Sequence, residues 1–332
     1  MASLKDLKNR IASVKATQKI TKAMKMVAAS KLRRAQEAIV QARPYATKMD
    51  EVLMDIVNRA DVNAHPLLSM RVPHRVLVVV MSSNRGLCGG FNSNIIRSAE
   101  RYIAENRANF DHIQVATIGR KAKEHFRRRG VELQATYEGI WDHLNYEAAS
   151  EIAVDLSERF VVGKLDAVYV IYNEFKSAIS QKVTVHQLLP IRPLEGWKDD
   201  PRVRIGELHS VSGNKEAVAG HTQDLASVQP TGQWDVSEAL ELEPVGYEHI
   251  YEPSQKDVLD ALLPEHLAVQ IWRALLESNA AEHGARMSAM DAASRNAKDL
   301  IEKLTLKANR ERQAVITTEL MEIVSGAESL KG

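Results

Sequence analysis

The sequence predicts two long helices, one at each end of the chain, that pair with each other and flank an α/β layer with a mainly parallel sheet. Three observations indicate this arrangement. Apolar residues recur in heptads near the N-terminus, and a second, alanine-rich stripe lies near the C-terminus. Between them, apolar β-branched runs alternate with amphipathic stretches, as in α/β proteins. The length of 332 residues allows about two domains.

The first helix is predicted over residues 1–58. Its heptad positions are Leu4, Leu7, Ile11, Val14, Gln18, Thr21, Lys25, Ala28, Leu32, Ala35, Ile39, Ala42, Ala46, Met49, Leu53 and Ile56. Three neighbouring positions in this series are polar, and there we expect Ile20, Met24 and Val27 to shift the apolar seam sideways. Pro44 is expected to kink the helix or to end its first segment.

The last helix is predicted over residues 254–326. Its stripe consists of Leu267, Ile271, Ala274, Ala281, Ala285, Ala289, Ala292, Ala293, Ala297, Leu300, Leu304, Ala308, Val315, Leu320, Ile323 and Val324. Small side chains let two helices approach closely, so this helix is expected to pack along the first one. Gly326 is predicted to cap its C-terminus.

The middle of the chain, residues 74–193, is predicted to form the α/β domain, with residues 59–73 as a linker. Strands are expected at 75–81, 112–118, 131–136, 165–172 and 182–189. Helices are expected at 95–106, 120–129 and 146–161. The first strand, RVLVVVM, is apolar throughout, which is typical of a strand buried on both faces of a parallel sheet.

Charge is distributed unevenly, although the net charge is only +1. Residues 1–50 hold twelve Lys or Arg against three acidic residues, which leaves +9. Residues 194–245 hold ten Asp or Glu against four Lys or Arg, which leaves −6. This acidic segment is also scattered with Gly, Pro and Ser, and is interpreted as an insertion in which a hairpin and disorder both stay open.

Cysteine content and hydropathy limit the compartment. Cys88 is the only cysteine, so a disulfide within the chain is excluded and a reducing compartment is favoured. No apolar run approaches the roughly 18 residues of a membrane span. Because the heptads begin at Leu4, we expect no signal or transit peptide.

The glycine-rich loop at 86–90, GLCGG, follows the first predicted strand and suggests a nucleotide site. Its spacing matches neither GxGxxG nor GxxxxGK[ST], so a tight strand-to-helix turn is favoured, with Cys88 as a buried structural thiol. The eleven histidines show no metal-ligand spacing, and neither a carboxylate pair nor an HExxH motif is present. We therefore expect no enzyme activity, cofactor or metal.

Two alternative functions stay open from the residues alone. A Rossmann-type enzyme would bind a nucleotide at residues 86–90. A coiled-coil nucleic-acid-binding protein would use the basic first helix, although its Lys and Arg lack interleaved aromatic residues and recur around several faces.

Several long motifs resemble the gamma subunit of F-type ATP synthases, in its bacterial form. They are IASVKATQKITKAMKMVAASK (11–31), RPYA (43–46), RGLCGGFN (85–92), QLLP (187–190), ARMSAMDAASRNA (285–297) and RQAVITTELMEIVSGA (312–327). Their order matches the family, and the likeness covers nearly the whole chain outside residues 194–245. Photosynthetic members carry an insertion there, with a redox-switched cysteine pair in chloroplasts; this chain has no cysteine in that segment.

The resemblance implies an antiparallel coiled coil of the terminal helices beside a Rossmann-like domain. It implies a non-catalytic rotor shaft, one copy per complex, inside a ring of catalytic and non-catalytic nucleotide-binding subunits. The foot would dock on the epsilon subunit and on the membrane rotor ring, coupling proton flow to ATP synthesis and helping to regulate ATPase activity. It implies a peripheral position on the cytoplasmic face of the bacterial inner membrane, and no nucleic-acid partner.

The resemblance also implies two groups of contact residues. The ring-facing group is Lys19, Lys22, Met24, Lys25, Arg286, Arg312, Gln313 and Thr317. The contact with the membrane rotor ring is made by Tyr251 and Glu252.

Overall fold

The structure is a computed structural model that describes residues 4–59, 65–191 and 254–329. The predicted insertion at 194–245 and the predicted rotor-ring contacts Tyr251 and Glu252 lie outside the described residues. The helices are α1 (Leu4–Arg59), α2 (Phe91–Asn106), α3 (Arg120–Arg128), α4 (Tyr146–Val161) and α5 (Gln255–Ser329). The strands are β1 (Arg75–Met81), β2 (His112–Ile118), β3 (Leu133–Tyr137), β4 (Ala167–Phe175) and β5 (Gln181–Leu189).

The two terminal helices pair in antiparallel orientation, which confirms the predicted coiled coil. Lys25 of α1 contacts Asp291 of α5, and Tyr45, further along α1, donates a hydrogen bond to Glu265, further back along α5. The buried seam residues of α1 are Leu7, Thr21, Ala28, Leu32, Ala35, Met49, Leu53 and Ile56. They follow the predicted heptad from one end of α1 to the other.

The predicted sideways shift of the seam is wrong. Ile20 and Val27 are each 59% exposed, whereas Thr21 is buried and keeps the heptad position. The polar side chains of Thr21 and Lys25 at these heptad positions both have hydrogen-bond partners. The Thr21 hydroxyl donates to the carbonyl of Gln18, and the Lys25 ammonium donates to the carboxylate of Asp291. Each group can therefore stay in the seam without an unsatisfied hydrogen bond.

Pro44 does not end α1, because the helix continues to Arg59; the alternative, a kink at Pro44, stays a prediction. Pro44 lies on the exposed side of α1, while Ala46 and Met49 continue the packed side. Gly326 is not a cap, since α5 runs on to Ser329. A glycine inside a helix costs only about 1 kcal/mol relative to alanine, so one residue of this kind need not end so long a helix.

The central domain is a five-stranded sheet in the order β3-β2-β1-β4-β5. Strand β1 is parallel to β2 and β4, and β2 is parallel to β3, as predicted, whereas β5 is antiparallel to β4. Helices α2 and α3 pack on one face of the sheet around Val78 and Phe126. On the other face, Leu156 of α4 and Leu267 and Ile271 of α5 join the core. Helix α5 therefore belongs both to the pair α1 and α5, here called the shaft, and to the central domain of residues 65–191, here called the foot.

Gly119 illustrates how tightly the sheet is closed at this end. It follows β2 with φ +93°, and an added Cβ would lie 1.9 Å from the backbone oxygen of Ser82 and 2.9 Å from Nε1 of Trp141. The clash is with backbone, so a small rotation of a side chain does not relieve it. The fold requires glycine here.

We predict that Gly119→Ala lowers the free energy of unfolding by at least about 3 kcal/mol, because strained backbone and steric overlap act together. The matched control is Gly130→Ala, where φ is +71° but no heavy atom lies within 4 Å of the added Cβ. The control is expected to cost only about 1 kcal/mol. Urea unfolding of both variants measures the difference, and equal midpoints would contradict the steric argument.

A second prediction concerns pH. His266 on α5 is buried, and burial, with a smaller contribution from His186, lowers its pKa to about 4. The folded state therefore keeps this ring neutral, whereas the unfolded chain protonates it near pH 6.5. The stability contributed by neutral His266 is fully present above about pH 6.5 and is lost progressively as the pH falls toward 4. The loss in the free energy of unfolding is about 2 kcal/mol at pH 5.

Urea midpoints at pH 7.5 and pH 5 measure this loss. His266→Gln should reduce the difference between the two midpoints, while the control His112→Gln, at an exposed position, should leave it unchanged. The same pH dependence in all three proteins would rule out His266 as its source.

Candidate functional site

The glycine-rich loop between β1 and α2 is closed by its own polar groups. The Asn92 side chain accepts a hydrogen bond from the backbone N–H of Ser83 at 3.0 Å, and its amide donates to the Arg85 carbonyl at 3.4 Å. Cys88 is buried, and this burial raises the pKa of its thiol. The predicted burial of Cys88 is thereby confirmed.

Helix α5 occupies the place where a parallel α/β sheet usually binds a ligand. That place is the crevice at the carboxyl ends of the strands where the strand order reverses, here at β1 and β4. Cys88 and Phe91 form a buried cluster there with Ala281 and Ala285 of α5, against Phe175 at the end of β4. The glycine-rich loop is thus a turn on which α5 docks. Because α5 fills the crevice in which a nucleotide would bind, the structure disfavours the alternative of a Rossmann-type enzyme.

Gly89 and Gly284 lie in the contact between the glycine-rich end of the sheet and α5. With φ +56°, Gly89 has a backbone conformation that side chains rarely adopt, and an added Cβ would lie 3.8 Å from the Cβ of Ala289. Similarly, a Cβ on Gly284 of α5 would lie 3.2 Å from Cα of Ala178, in the β4–β5 turn. Small residues on α5 therefore let the foot pack directly against the helix backbone.

Arg286 fastens the loop to the shaft. Its guanidinium lies 2.7 Å from the Glu282 carboxylate and donates to the Gly86 carbonyl at 3.3 Å. The side chains of Arg286 and Glu282 are only 13% and 10% exposed. Burial raises the pKa of Glu282, while the Arg286 charge opposes that rise. Arg286 was predicted to face a surrounding ring; within this chain it contacts Glu282 and the glycine-rich loop, and the ring contact stays a prediction.

The other predicted contact residues of α1 occupy different environments. Lys19 and Lys22 are exposed, and Met24 is half-buried beside the seam. Lys25 lies 2.5 Å from Asp291, with the two side chains 39% and 25% exposed. The structure thus brings Lys25 into the coiled coil and leaves two of the predicted lysines on its surface.

Helix α5 extends beyond the described part of α1. Since Lys25 is opposite Asp291, stepping equally along both helices puts Leu4 opposite residue 312, and the residues beyond 312 have no partner among the described residues of α1. This overhang, residues 313–329, carries the exposed apolar residues Val315, Ile316, Leu320, Met321, Ile323 and Val324, which are 47% to 69% exposed. The predicted residues Gln313 and Thr317 lie on it, and Arg312 immediately precedes it.

Several of these contacts were not predicted from the sequence. Glu282 and Arg286 stand four residues apart, a spacing that signals an ion pair on a helix. Asp291 interrupts an alanine stripe, which was the available sign of a specific partner. No sequence pattern predicts the contact between Gly89 and Ala289, because it joins segments about 200 residues apart and depends on the tertiary fold.

The fold and these surfaces define a class of protein: a stiff two-helix shaft, fastened to an α/β foot, whose free surfaces suit contact with other proteins. Within the part of the chain that the structure describes, no three or more His, Cys, Asp or Glu side chains gather as a metal site. The helices described there also include none that is long and apolar enough to cross a membrane.

Comparisons with known proteins identify the family. A family model described as ATP synthase matches residues 3–330. The gamma chain of ATP synthase from Anaeromyxobacter sp. (strain Fw109-5) is 48% identical over the full length of both chains, and that from Geobacter metallireducens is 47% identical, also over both full lengths. This chain belongs to the ATP synthase gamma chain family, whose members are non-catalytic subunits.

Solved structures agree with this assignment. The central stalk of the Tetrahymena thermophila mitochondrial ATP synthase matches with a TM-score of 0.55 and 26% identity, covering 83% of this chain and 99% of that one. A chain of the Euglena gracilis mitochondrial ATP synthase matches with a TM-score of 0.59 and 19% identity, covering 98% and 94%. The second likeness shows the fold alone.

We predict that Arg286→Met destabilises the isolated chain by about 2–4 kcal/mol, because it leaves the buried Glu282 carboxylate unpaired. Adding Glu282→Leu should recover most of the loss, since both charges are then gone. Urea unfolding of the two variants measures this. We call the contact of Arg286 with Glu282 and the Gly86 carbonyl the Arg286 clamp. If Arg286→Met leaves the stability of the isolated chain unchanged, the clamp does not stabilise the fold.

Proposed function

We propose that the overhang of α5 turns inside a collar formed by surrounding subunits. The observation that carries this proposal is the stretch of α5 beyond residue 312, which exposes apolar side chains and has no partner among the described residues of α1. An isolated helical end of this length is marginal in water, and a contiguous apolar surface of this kind marks a protein interface. The collar is the ring of catalytic and non-catalytic nucleotide-binding subunits, and the chain is its central rotor shaft, one copy per complex.

The similar solved structures support the same partners. One contains a central stalk with a c-ring, and another the rotor of a mitochondrial ATP synthase. For this chain, the foot would dock on the epsilon subunit and on the membrane rotor ring, with Tyr251 and Glu252 at the latter contact. Proton flow would turn ring and shaft together, and the shaft would drive ATP synthesis and help to regulate ATPase activity. The proposal includes a peripheral position on the cytoplasmic face of a bacterial inner membrane.

The exposed lysines of α1 suit a surface that slides. Lys19 and Lys22 extend into solvent, and exposed ion pairs with acidic loops of a ring are worth only about 0–1 kcal/mol each. Such contacts guide the shaft without locking it. Arg312, Gln313 and Thr317, at or on the overhang, would meet the ring at its narrow upper end.

The pairing of α1 with α5 disfavours the nucleic-acid alternative. The apolar faces of the helices are used within the chain, and the basic residues of α1 are spread over its outer surface. The basic residues of the described part of α1 therefore do not line up on one face beside aromatic side chains, as a nucleic-acid-binding surface would require.

We predict that the tagged chain, purified from its native membranes, carries the ring subunits with it, each in about threefold excess because a threefold ring encloses one shaft. Recovery of the chain alone, or with nucleic acid, would contradict the proposal.

A variant tests the overhang itself. Ile316→Ser with Leu320→Ser and Ile323→Ser removes apolar contacts with the collar, so the purified complex should release its ring at a lower urea concentration. The control is Leu306→Ser, which changes an equally exposed apolar residue below the overhang. Equal release in variant and control would show that the apolar face of the overhang is not the contact.

A further inference from the structure

The seam between α1 and α5 repeats along α1, where the buried residues Thr21, Ala28, Leu32 and Ala35 follow the heptad. On the α5 side, Ala280 packs against Leu32 and Ala35, whereas Ala281 and Ala285 face the glycine-rich loop. A heptad seam permits alternative registers unless specific contacts exclude them.

The lower part of the shaft has such contacts. Tyr45 donates a hydrogen bond to Glu265, and the foot packs on α5 through the Arg286 clamp. The contacts of the glycine-rich loop with α5 reach residue 289, and α1 and α5 continue from there toward Leu4 and residue 312. There, Lys25 occupies a heptad position of α1 and reaches across the seam to Asp291.

The geometry of this pair fits a register contact. The Lys25 ammonium lies 2.5 Å from Oδ1 of Asp291, while Arg295 lies 2.7 Å from Oδ2 of the same carboxylate. Arg295 belongs to the same helix as Asp291, so the contact between them does not change when α5 slides along α1. Only the Lys25 contact changes, because a slip of one turn separates the two charges by about 5 Å.

We infer that Lys25 and Asp291 are positioning residues that hold α1 and α5 in one register where the shaft leaves the foot. A charged residue at a core position of a coiled coil specifies register at some cost in stability, since pairing in any other register leaves a partly buried charge alone. Lys25 thereby acts within the shaft. The consequence for coupling rests on the proposed function, because register decides which surface the upper shaft presents to the ring.

Charge reversal tests the register directly. In the full chain with Cys88→Ser, spin labels are placed at Ser13→Cys and Lys303→Cys, two exposed positions on α1 and α5 above the pair. Pulsed electron spin resonance measures the distance between the labels. The parent should give one narrow distribution, Asp291→Lys or Lys25→Asp alone should shift or broaden it by about 5 Å, and the double swap should restore it.

The matched control reverses an exposed pair within α5, Lys298→Glu with Glu302→Lys, and should leave the distribution unchanged. Unchanged distances in both single reversals would overturn the inference. So would failure of the double swap to narrow the distribution.

The second measurement uses the assembled complex in membrane vesicles. The ratio of proton pumping to ATP hydrolysis should fall about threefold or more in each single reversal, with the double swap within about twofold of the parent. Restored distances without restored coupling would leave the register contact standing and count against the proposed role of the shaft. The two failures are thus distinguishable.

Discussion

The antiparallel pairing of α1 and α5 is the interaction on which the rest of the structure depends. It joins the two ends of the chain, and α5 then contributes to the core on one face of the sheet. The same helix fills the crevice at the carboxyl ends of β1 and β4 through Ala281 and Ala285. One helix therefore serves as shaft and as part of the foot, so a torque applied to the foot reaches the shaft through packed atoms rather than a flexible hinge.

Polar groups refine a pairing that apolar packing makes possible. Glu282 is buried beside Arg286, and such pairs contribute little net stability but are costly to break. Their value here lies in position: one fastens the glycine-rich loop, and Lys25 with Asp291 marks a register. Beyond residue 312 the described part of α1 no longer accompanies α5, and the apolar side chains exposed there form the surface proposed for contact with other subunits.

Much of the fold was predictable because its signals are local and periodic. The heptads placed both long helices, and β1, β2 and α4 have the predicted bounds. The errors have a different origin. The seam stays at Thr21 because a hydroxyl can be satisfied by its own helix, and α1 passes through Pro44 because its packed side continues. The clamp of Arg286 on Gly86 joins distant segments, so no local pattern announced it.

Direct observation of rotation tests the central claim most directly. With Cys88→Ser, a bead attached at exposed Val162→Cys on the foot reports the motion of this chain in complexes whose ring is fixed to a surface. If the paired helices are a shaft, ATP hydrolysis turns the bead in one direction, and a disulfide cross-link between shaft and ring stops both rotation and hydrolysis. Sustained hydrolysis with a stationary bead, or with the cross-link in place, would contradict the account.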